Sequence, residues 1–296
     1  MKTAIGILTA TLLTLVTTAC DNFEYHPYSI KIHGQKDINA TTIEQLETAG
    51  IKAPFKFAFI TDTQGALSDM NTALDLIKQR GDIDFIIHGG DMTDFGLPKE
   101  YVWARDMLNN YGIPFLTIIG NHDCLGNGED TFKTIFGPEN FSLNIDHVHI
   151  VGLNTVALEY DYSRPVPDLD FIENDRLEVD DINAAHPDSL THTIVAMHSR
   201  PYDEQFNNNV AKVFNYYLSK YPGMDETTYD RQPSDLPEDL LRCPRGFCIN
   251  GHNHSTSISD IFDNGILYYQ CANMAKRTFF IFTITEDGYE HEVVEF

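Results

Sequence analysis

Side chains that can bind divalent metal ions follow five separate apolar segments of this sequence. The segment Phe85–Ile87 leads through His88 and two glycines into the carboxylate of Asp91. The other four segments end in Asp62-Thr63-Gln64, Asn121-His122-Asp123, His198 and His252-Asn253-His254. Carboxylates, amides and imidazoles are the donors that hard and borderline divalent metals prefer. Their repeated position after apolar runs predicts a metal site assembled from distant parts of the chain.

The elements that carry these side chains are predicted to be strands of an α/β sheet. Short apolar runs closed by glycine or a polar residue are typical of buried strands. Asp62, Asp91 and Asn121 follow one another at intervals of about 30 residues, the length of one βαβ unit. Helical patterns over Asn71–Arg80 and Lys99–Tyr111 fill the gaps. Because parallel strands place ligands at their carboxyl ends, the polar side chains should meet at one sheet edge.

The rest of the chain is predicted to add further helices and strands. Helices are expected over Thr42–Ala49, Asp168–Ala185 and Asn207–Tyr221. A short strand is expected over Tyr28–Ile32, with two more strands within Asn140–Thr155 and three within Ile266–Phe296. Alternating helices and strands, followed mainly by strands, suit two sheets enclosed by helices.

The order of the polar groups resembles the calcineurin-like metallophosphoesterases. The blocks Asp-x-Gln, Gly-Asp-x-x-Asp, Gly-Asn-His-Asp, His and Gly-His-x-His match that family in order and spacing, from about Lys56 to the C-terminus. The resemblance implies an α/β fold of the four-layer α/β/β/α sandwich type. Residues 54–296 would form the metallophosphoesterase domain, and residues 20–53 an N-terminal extension packed on it. That extension is too short to hold a core of its own.

The resemblance also assigns a role to each polar side chain. One metal would be held by Asp62, Gln64, Asp91 and His254, and the other by Asp91, Asn121, His198 and His252. The bridging carboxylate of Asp91 would then hold a pair of divalent or mixed-valence ions, such as Mn, Fe, Zn or Mg. In two-metal sites the ions lie about 3.5–4 Å apart and place a shared hydroxide for in-line attack on phosphorus.

Three further residues are expected to act on the substrate. The resemblance implies that His122 protonates the leaving oxygen and that Asp123 orients His122. Arg200 follows His198 closely and is expected to bind phosphate through its guanidinium group. Gln64 is the main departure from the family pattern, since many members have histidine there, and an amide oxygen is a weaker donor to zinc.

The resemblance implies an enzyme that hydrolyses a phosphomonoester or a small phosphodiester. The competing interpretation is a surface-binding lipoprotein that retains the fold with a weakened site. A formal charge of −24 over 296 residues argues against nucleic acid as a partner, because sequence-independent nucleic-acid binding needs a cationic surface. We therefore expect a small phosphorylated substrate, while the oligomeric state stays open.

The first residues predict export from a bacterial cell. Lys2 precedes the apolar stretch Ile5–Val16, and small residues lead up to Cys20, as in a secretory signal. The pattern resembles a bacterial lipoprotein signal, so residues 1–19 would be the signal peptide and Cys20 would anchor the protein to a cell-envelope membrane. Ordinary secretion is the alternative. In an exported protein Cys243 and Cys248 either form a local disulfide or stay free thiols.

Overall fold

The computed structural model describes residues 31–156, 166–203, 208–224 and 245–296. The strands in these ranges are β1 (Phe55–Ile60), β2 (Phe85–His88), β3 (Phe115–Thr117), β4 (Phe141–Ile145), β5 (Val148–Leu153), β6 (His192–Met197), β7 (Gly246–Asn250), β8 (Ser257–Asp260), β9 (Leu267–Gln270), β10 (Thr278–Ile284) and β11 (Tyr289–Glu295). The α-helices are α1 (Ile38–Thr48), α2 (Leu67–Arg80), α3 (Pro98–Tyr111), α4 (Gly128–Ile135), α5 (Leu169–Ala185) and α6 (Asn208–Leu218). Short 3-10 turns cover His122–Cys124 and Met274–Lys276.

The strands form two sheets that run in different orders. The first sheet has the order β11-β10-β1-β2-β3 and the second β4-β5-β6-β7-β9-β8. Strands β1, β2 and β3 are parallel, whereas β10 joins β1 in antiparallel pairing with Phe57 opposite Phe282. In the second sheet β5, β6, β7 and β9 are parallel. Each sheet therefore contains a group of neighbouring parallel strands, which lies at one side of the first sheet and in the centre of the second. The carboxyl ends of such strands lie together, where a ligand site is expected.

Three apolar layers hold the sheets and helices together. Aromatic and aliphatic side chains such as Phe57, Phe247 and Phe282 fill the space between the two sheets. The first sheet packs its outer face on α2, α3 and α4, and the second packs on α5 and α6. The predicted α/β/β/α sandwich of four layers is confirmed by this arrangement and by the two multi-stranded sheets.

Most of the predicted elements are present, with differences at their ends. Helix α1 begins at Ile38 rather than Thr42, because Asn39 is drawn onto β3 by a pair of 2.9 Å bonds with the backbone of Thr117. Strand β8 was not predicted, since Ser257–Asp260 has a polar, half-exposed edge pattern. Residues 31 and 32 are not in a strand, and the rest of the predicted strand lies outside the described ranges.

The signal sequence with Cys20, and Cys243 of the possible disulfide, also lie outside those ranges. Cys248 is a free thiol buried in β7. Within the described part of the chain, none of the helices combines the length and the apolar character that crossing a bilayer requires.

Candidate metal centre

Five strand ends bring the predicted metal ligands to one place between the sheets. Asp62 and Gln64 follow β1, Asp91 follows β2 and Asn121 follows β3. His198 follows β6, and the pair His252 and His254 follows β7. The side chains of Asp62, Asp91 and His198 are buried almost completely. The parallel strands of both sheets thus contribute to a single polar cluster.

One half of this cluster is formed by two carboxylates and an imidazole. Ligand atoms of Asp62, Asp91 and His254 all lie within 4.8 Å of one another. The Nε2 atom of His254 is 3.2 Å from Oδ1 of Asp62. Gln64 joins this half, because its Nε2 donates to Oδ2 of Asp91 at 3.2 Å. These four side chains are the set expected to hold the first metal.

The other half of the cluster is formed around Asn121. Its Oδ1 lies 3.1 Å from Nε2 of His198 and 3.0 Å from Nδ1 of His252. The same Nε2 of His198 is 3.3 Å from Oδ2 of Asp91. Asp91 therefore contacts both halves, which is the position a bridging carboxylate requires.

Surrounding groups fix the orientation of these side chains. Nδ1 of His198 donates to the carbonyl of Gly89 at 2.7 Å, which leaves Nε2 directed at the cluster. The Asp62 carboxylate accepts from the Thr61 hydroxyl at 2.6 Å and from the His252 amide at 3.1 Å. Hydrogen bonds of this kind to the far side of a ligand fix its orientation and tautomer in known metal sites.

Two buried polar atoms in the cluster fit the presence of a cation. Oε1 of Gln64 is buried and has no hydrogen-bond partner, and buried Oδ1 of Asp62 has only Nε2 of His254 beside it, at 3.2 Å. Such atoms are rare in folded proteins and call for a ligand or another explanation. Both belong to the residue set expected to hold the first metal, and oxygen and imidazole donors together suit divalent ions of the manganese, iron and zinc type. The residues present therefore fit the metal pair that the family implies.

The backbone at the strand ends is held in unusual conformations. The φ angles of Asp62, Asp91, His252 and His254 are 51°, 54°, 72° and 53°. Non-glycine residues seldom adopt this left-handed region, and such strain is concentrated at functional sites. Gly120 has a related function, because a Cβ there would lie 2.2 Å from the backbone nitrogen of Asp91. Close approach of the two loops aims the carboxylate of Asp91 at the cluster.

The electrostatics of the cluster are dominated by its carboxylates. Burial lowers the pKa of His198, but the carboxylates of Asp91 and Asp62 outweigh it and bring that pKa to about 10. Burial raises the pKa of Asp91, yet His198 and His122 outweigh it and leave that pKa below its usual value. A hydrogen bond to Asp62 raises the pKa of His254. The raised pKa values of His198 and His254 reflect a negative potential that also favours bound cations.

His88 contacts the loops that carry Asp62 and Asp91. Its Nδ1 accepts from the Gly90 amide at 3.3 Å, so its Nε2 carries the proton that faces the Thr63 hydroxyl at 2.9 Å. Burial lowers the pKa of His88 to about 4, which keeps the ring neutral. The ring joins the loops after β1 and β2, and this role fits a structural rather than a ligand residue.

His122 lies beside the cluster but is not oriented by Asp123. Nδ1 of His122 faces the carbonyl of Asp94 at 3.0 Å, and the His122 amide donates to Asp91 at 2.9 Å. The Asp123 carboxylate accepts from the amides of Met92, Thr93 and Gly120 and from the Thr93 hydroxyl. The expectation that Asp123 orients His122 is therefore wrong, because the backbone of the neighbouring loops occupies its carboxylate.

Arg200 is directed at protein groups. Its guanidinium lies 3.4 Å from Oδ1 of Asp203 and donates to the Ser259 hydroxyl at 3.0 Å. Asp203 also accepts from Asn253 at 2.8 Å. Since Asn253 stands between His252 and His254, these contacts connect Arg200 to the loop that carries both imidazoles.

The sequence matches the family model described as calcineurin-like phosphoesterase over residues 55–271. The match covers most of the chain and includes every residue of the cluster, so this protein belongs to the calcineurin-like phosphoesterase family. A comparison with curated proteins found no match.

Two solved structures show how the fold is used elsewhere. GAP50, the anchor in the inner membrane complex of Plasmodium, is 14% identical, has a TM-score of 0.53, and aligns over 82% of this chain and 85% of that chain. A purple acid phosphatase from yellow lupin (Lupinus luteus) seeds is also 14% identical, with a TM-score of 0.52. The match to the lupin protein covers 83% of this chain but 52% of that one. At these identities the likeness shows a shared fold alone.

Proposed function

We propose that this protein is a dinuclear-metal phosphoesterase that hydrolyses a phosphomonoester or a small phosphodiester. The observation that supports the proposal is the convergence of all seven expected ligands on one cluster, in which Asp62, Asp91 and His198 are buried and His254 is exposed. Family membership supports the coarser class of metal-dependent phosphoesterase. The distances of 3.2–3.3 Å from Asp91 to Gln64 and His198 support its place between two metals.

The chain's own residues supply the binding and the proton transfer. Asp62, Gln64, Asp91 and His254 would hold one ion, and Asp91, Asn121, His198 and His252 the other. When bound, a pair of divalent ions stabilises the charge on the phosphoryl oxygens and lowers the pKa of the attacking water. The positions of both sets are fixed before binding by the hydrogen bonds to Gly89, Thr61 and the loop amides.

His122 is the proposed proton donor to the leaving group. The Asp94 carbonyl can only accept, so the Nδ1 atom of His122 carries a proton and donates it. In the imidazolium form of the ring, which carries a proton on each nitrogen, the proton available for transfer is then the one on Nε2. A positioned imidazole of this kind typically contributes about 10²–10⁴-fold to the rate. For Arg200 the contacts support positioning of the His252–His254 loop through Asp203.

The test is a substrate screen with matched variants. Purified protein would be assayed with phosphomonoesters and diesters in the presence of manganese, and its metal content would be measured. We expect Asp91→Asn and His198→Ala to lose both metal and hydrolysis, whereas Asp181→Asn, an exposed position on α5, should keep both. Hydrolysis that survives complete metal removal would contradict the proposal.

The competing function is a binding protein that retains the fold without turnover. GAP50, which shares this fold, is described as an anchor, and this supports a binding function as the second candidate. The same assay separates the two functions. A protein that binds metal fully but hydrolyses none of the esters would support the binding function.

A further inference from the structure

A cavity of about 320 Å³ is lined by residues of the loops that carry Gln64 and Asp91. Its lining includes Gly65, Leu67, Met92, Asp94, Glu100 and Trp103. Gly65 follows the ligand Gln64 in the chain, and Met92 follows the ligand Asp91. The cavity is therefore continuous in sequence with the loops that hold the proposed metal pair.

The cavity shares one of its lining residues, Asp94, with the surroundings of the His122 ring. Asp94 lines the cavity, and its carbonyl is the group that holds the His122 ring at 3.0 Å. The Asp94 carboxylate also accepts from the Gly65 amide at 3.2 Å. This hydrogen bond joins two lining residues of the cavity, of which Gly65 directly follows Gln64. A leaving group whose oxygen receives the proton of Nε2 would reach this cavity by extending along the His122 ring towards Asp94.

The lining combines an indole with negative charge. Trp103 is 49% exposed, which is unusual for so large an apolar side chain. The ionisable residues of the lining are Asp94 and Glu100, and no lysine or arginine is among the lining residues. The amides of Phe95 and Leu97, just before α3, already donate to Glu100, so they are not free to bind an anionic ligand. These two carboxylates would repel an anionic leaving group.

The indole already contacts a cation within the protein. Nζ of Lys99 lies 4.8 Å from the centroid of the Trp103 ring. An ammonium at this distance from an indole is attracted by the negative face of the ring. Lys99 is exposed. If a ligand cation takes its place on the ring, the ammonium of Lys99 can therefore move into solvent and stay hydrated.

We propose that this cavity binds the leaving group of the substrate and selects a small alcohol that carries an ammonium group, of the choline or ethanolamine type. This proposal rests on the proposed phosphoesterase function and names its substrate class. Trp103 would contact the ammonium, while the carboxylates of Asp94 and Glu100 supply the attracting charge. Leu67 and Met92 would contact the carbon atoms of the alcohol.

A binding experiment tests the cavity without requiring turnover. Trp103 is the single tryptophan of the chain, so its fluorescence reports directly on this wall. Titration with choline should change that fluorescence at about tenfold lower concentration than titration with 3,3-dimethylbutanol, its uncharged counterpart. Glu100→Gln should reduce the difference, since glutamine can keep the backbone hydrogen bonds of this position but removes its charge.

A matched control comes from α6. There Tyr216 is exposed and Nζ of Lys220 lies 5.0 Å from its ring centroid, but Tyr216 is not among the residues that line the cavity. Tyr216→Leu should leave the response of Trp103 to choline unchanged. Equal responses to choline and to its uncharged counterpart would overturn the proposal.

A kinetic experiment links the cavity to the reaction. With manganese present, kcat/KM for choline phosphate should exceed that for 3,3-dimethylbutyl phosphate by about tenfold, and Trp103→Leu should remove most of that preference. Metal-dependent hydrolysis of nitrophenyl phosphate without any such preference would overturn only this inference. Failure to hydrolyse any ester would instead overturn the proposed function, and the fluorescence titration would still decide on the cavity.

Discussion

His122 is held by a backbone carbonyl, and this has consequences for the reaction. Because the Asp94 carbonyl holds Nδ1, the proposed proton transfer from the imidazolium would have to use Nε2. We expect His122→Ala to lower turnover of alkyl phosphates by on the order of 100-fold, with less loss on nitrophenyl phosphate, whose leaving group needs no proton. Steady-state kinetics on both esters would measure the effect.

Metal content provides the control for that experiment. The His122 ring is not among the proposed ligands, so the variant should bind the same amount of metal as the wild type. His186→Ala, at an exposed position after α5, should leave both activities unchanged. Equal losses on the alkyl and nitrophenyl esters would contradict a proton-donor role.

Gln64 should make the two metal sites unequal. Its amide is a weaker donor than the imidazoles of His198 and His252, so the first site should release its metal more readily. In a calorimetric titration of metal-free protein we expect two steps of different affinity. Gln64→His should tighten the weaker step and favour zinc over manganese.

A different result is expected if Gln64 is not a metal ligand. If the amide only supports Asp91 through the 3.2 Å hydrogen bond, it orients a ligand without contacting metal. Gln64→Ala would then leave two steps of unchanged affinity. The buried Oε1 atom, which has no hydrogen-bond partner, favours the first outcome.

Asp123 joins the loops after β2 and β3. Its carboxylate accepts from four donors, of which Met92 and Thr93 belong to one loop and Gly120 to the other. Asparagine would turn an NH2 group towards one of these amides. We expect Asp123→Asn to lower the free energy of unfolding by about 3 kcal/mol, measured by urea denaturation.

We expect Asp123→Asn to lower the metal affinity of the cluster as well. Gly120 precedes Asn121, so a displaced loop weakens the second metal site and lowers metal affinity as well as stability. Asp181→Asn is the matched control for a carboxylate changed at an exposed position. A variant as stable as that control would show that the backbone amides find other partners.

A second buried carboxylate joins helix α5 to strand β5. Asp175 Oδ2 accepts from Nε2 of His149 at 2.9 Å and from the Tyr221 hydroxyl at 2.6 Å. Burial raises the pKa of Asp175, but the hydrogen bond and charge of His149 outweigh it and leave that pKa below its usual value. Ionised Asp175 therefore stabilises the fold above the pKa of the unfolded chain, about 3.9.

This linkage gives a stability difference that depends on pH. At pH 7 we expect Asp175→Asn to lower the free energy of unfolding by about 2 kcal/mol. The difference from the wild type should shrink as the pH falls below about 4, because the wild-type carboxylate then becomes protonated. Urea denaturation at several pH values would show this convergence, and a constant difference would contradict it.

The strands and ligands were predictable from sequence because both are local patterns. Apolar runs closed by Asp91 or His198 indicate a strand and its polar end together. The partners of Asp123 and Trp103 were not predictable, since they depend on how loops meet in space. Edge strand β8 escaped prediction because half-exposed polar residues carry little strand signal.

At the scale of the whole molecule, the N-terminal pattern predicts a lipid anchor on Cys20. In a bacterial host that makes the protein, a fatty-acid probe should label the wild type and not Cys20→Ala. The mature protein should partition with membranes, whereas the variant should be released in soluble form. Equal labelling of both proteins would exclude Cys20 as the attachment site.

The left-handed backbone at Asp62, Asp91, His252 and His254 means that glycine at these positions would stabilise the fold while removing a ligand. Each such residue costs about 1–2 kcal/mol relative to glycine, which adopts the same conformation without strain. A lineage released from selection for turnover would regain that energy by losing its ligands. Loss of catalysis would then increase the stability of the fold. Descendants of such a protein can therefore lose turnover, keep the fold and function only in binding.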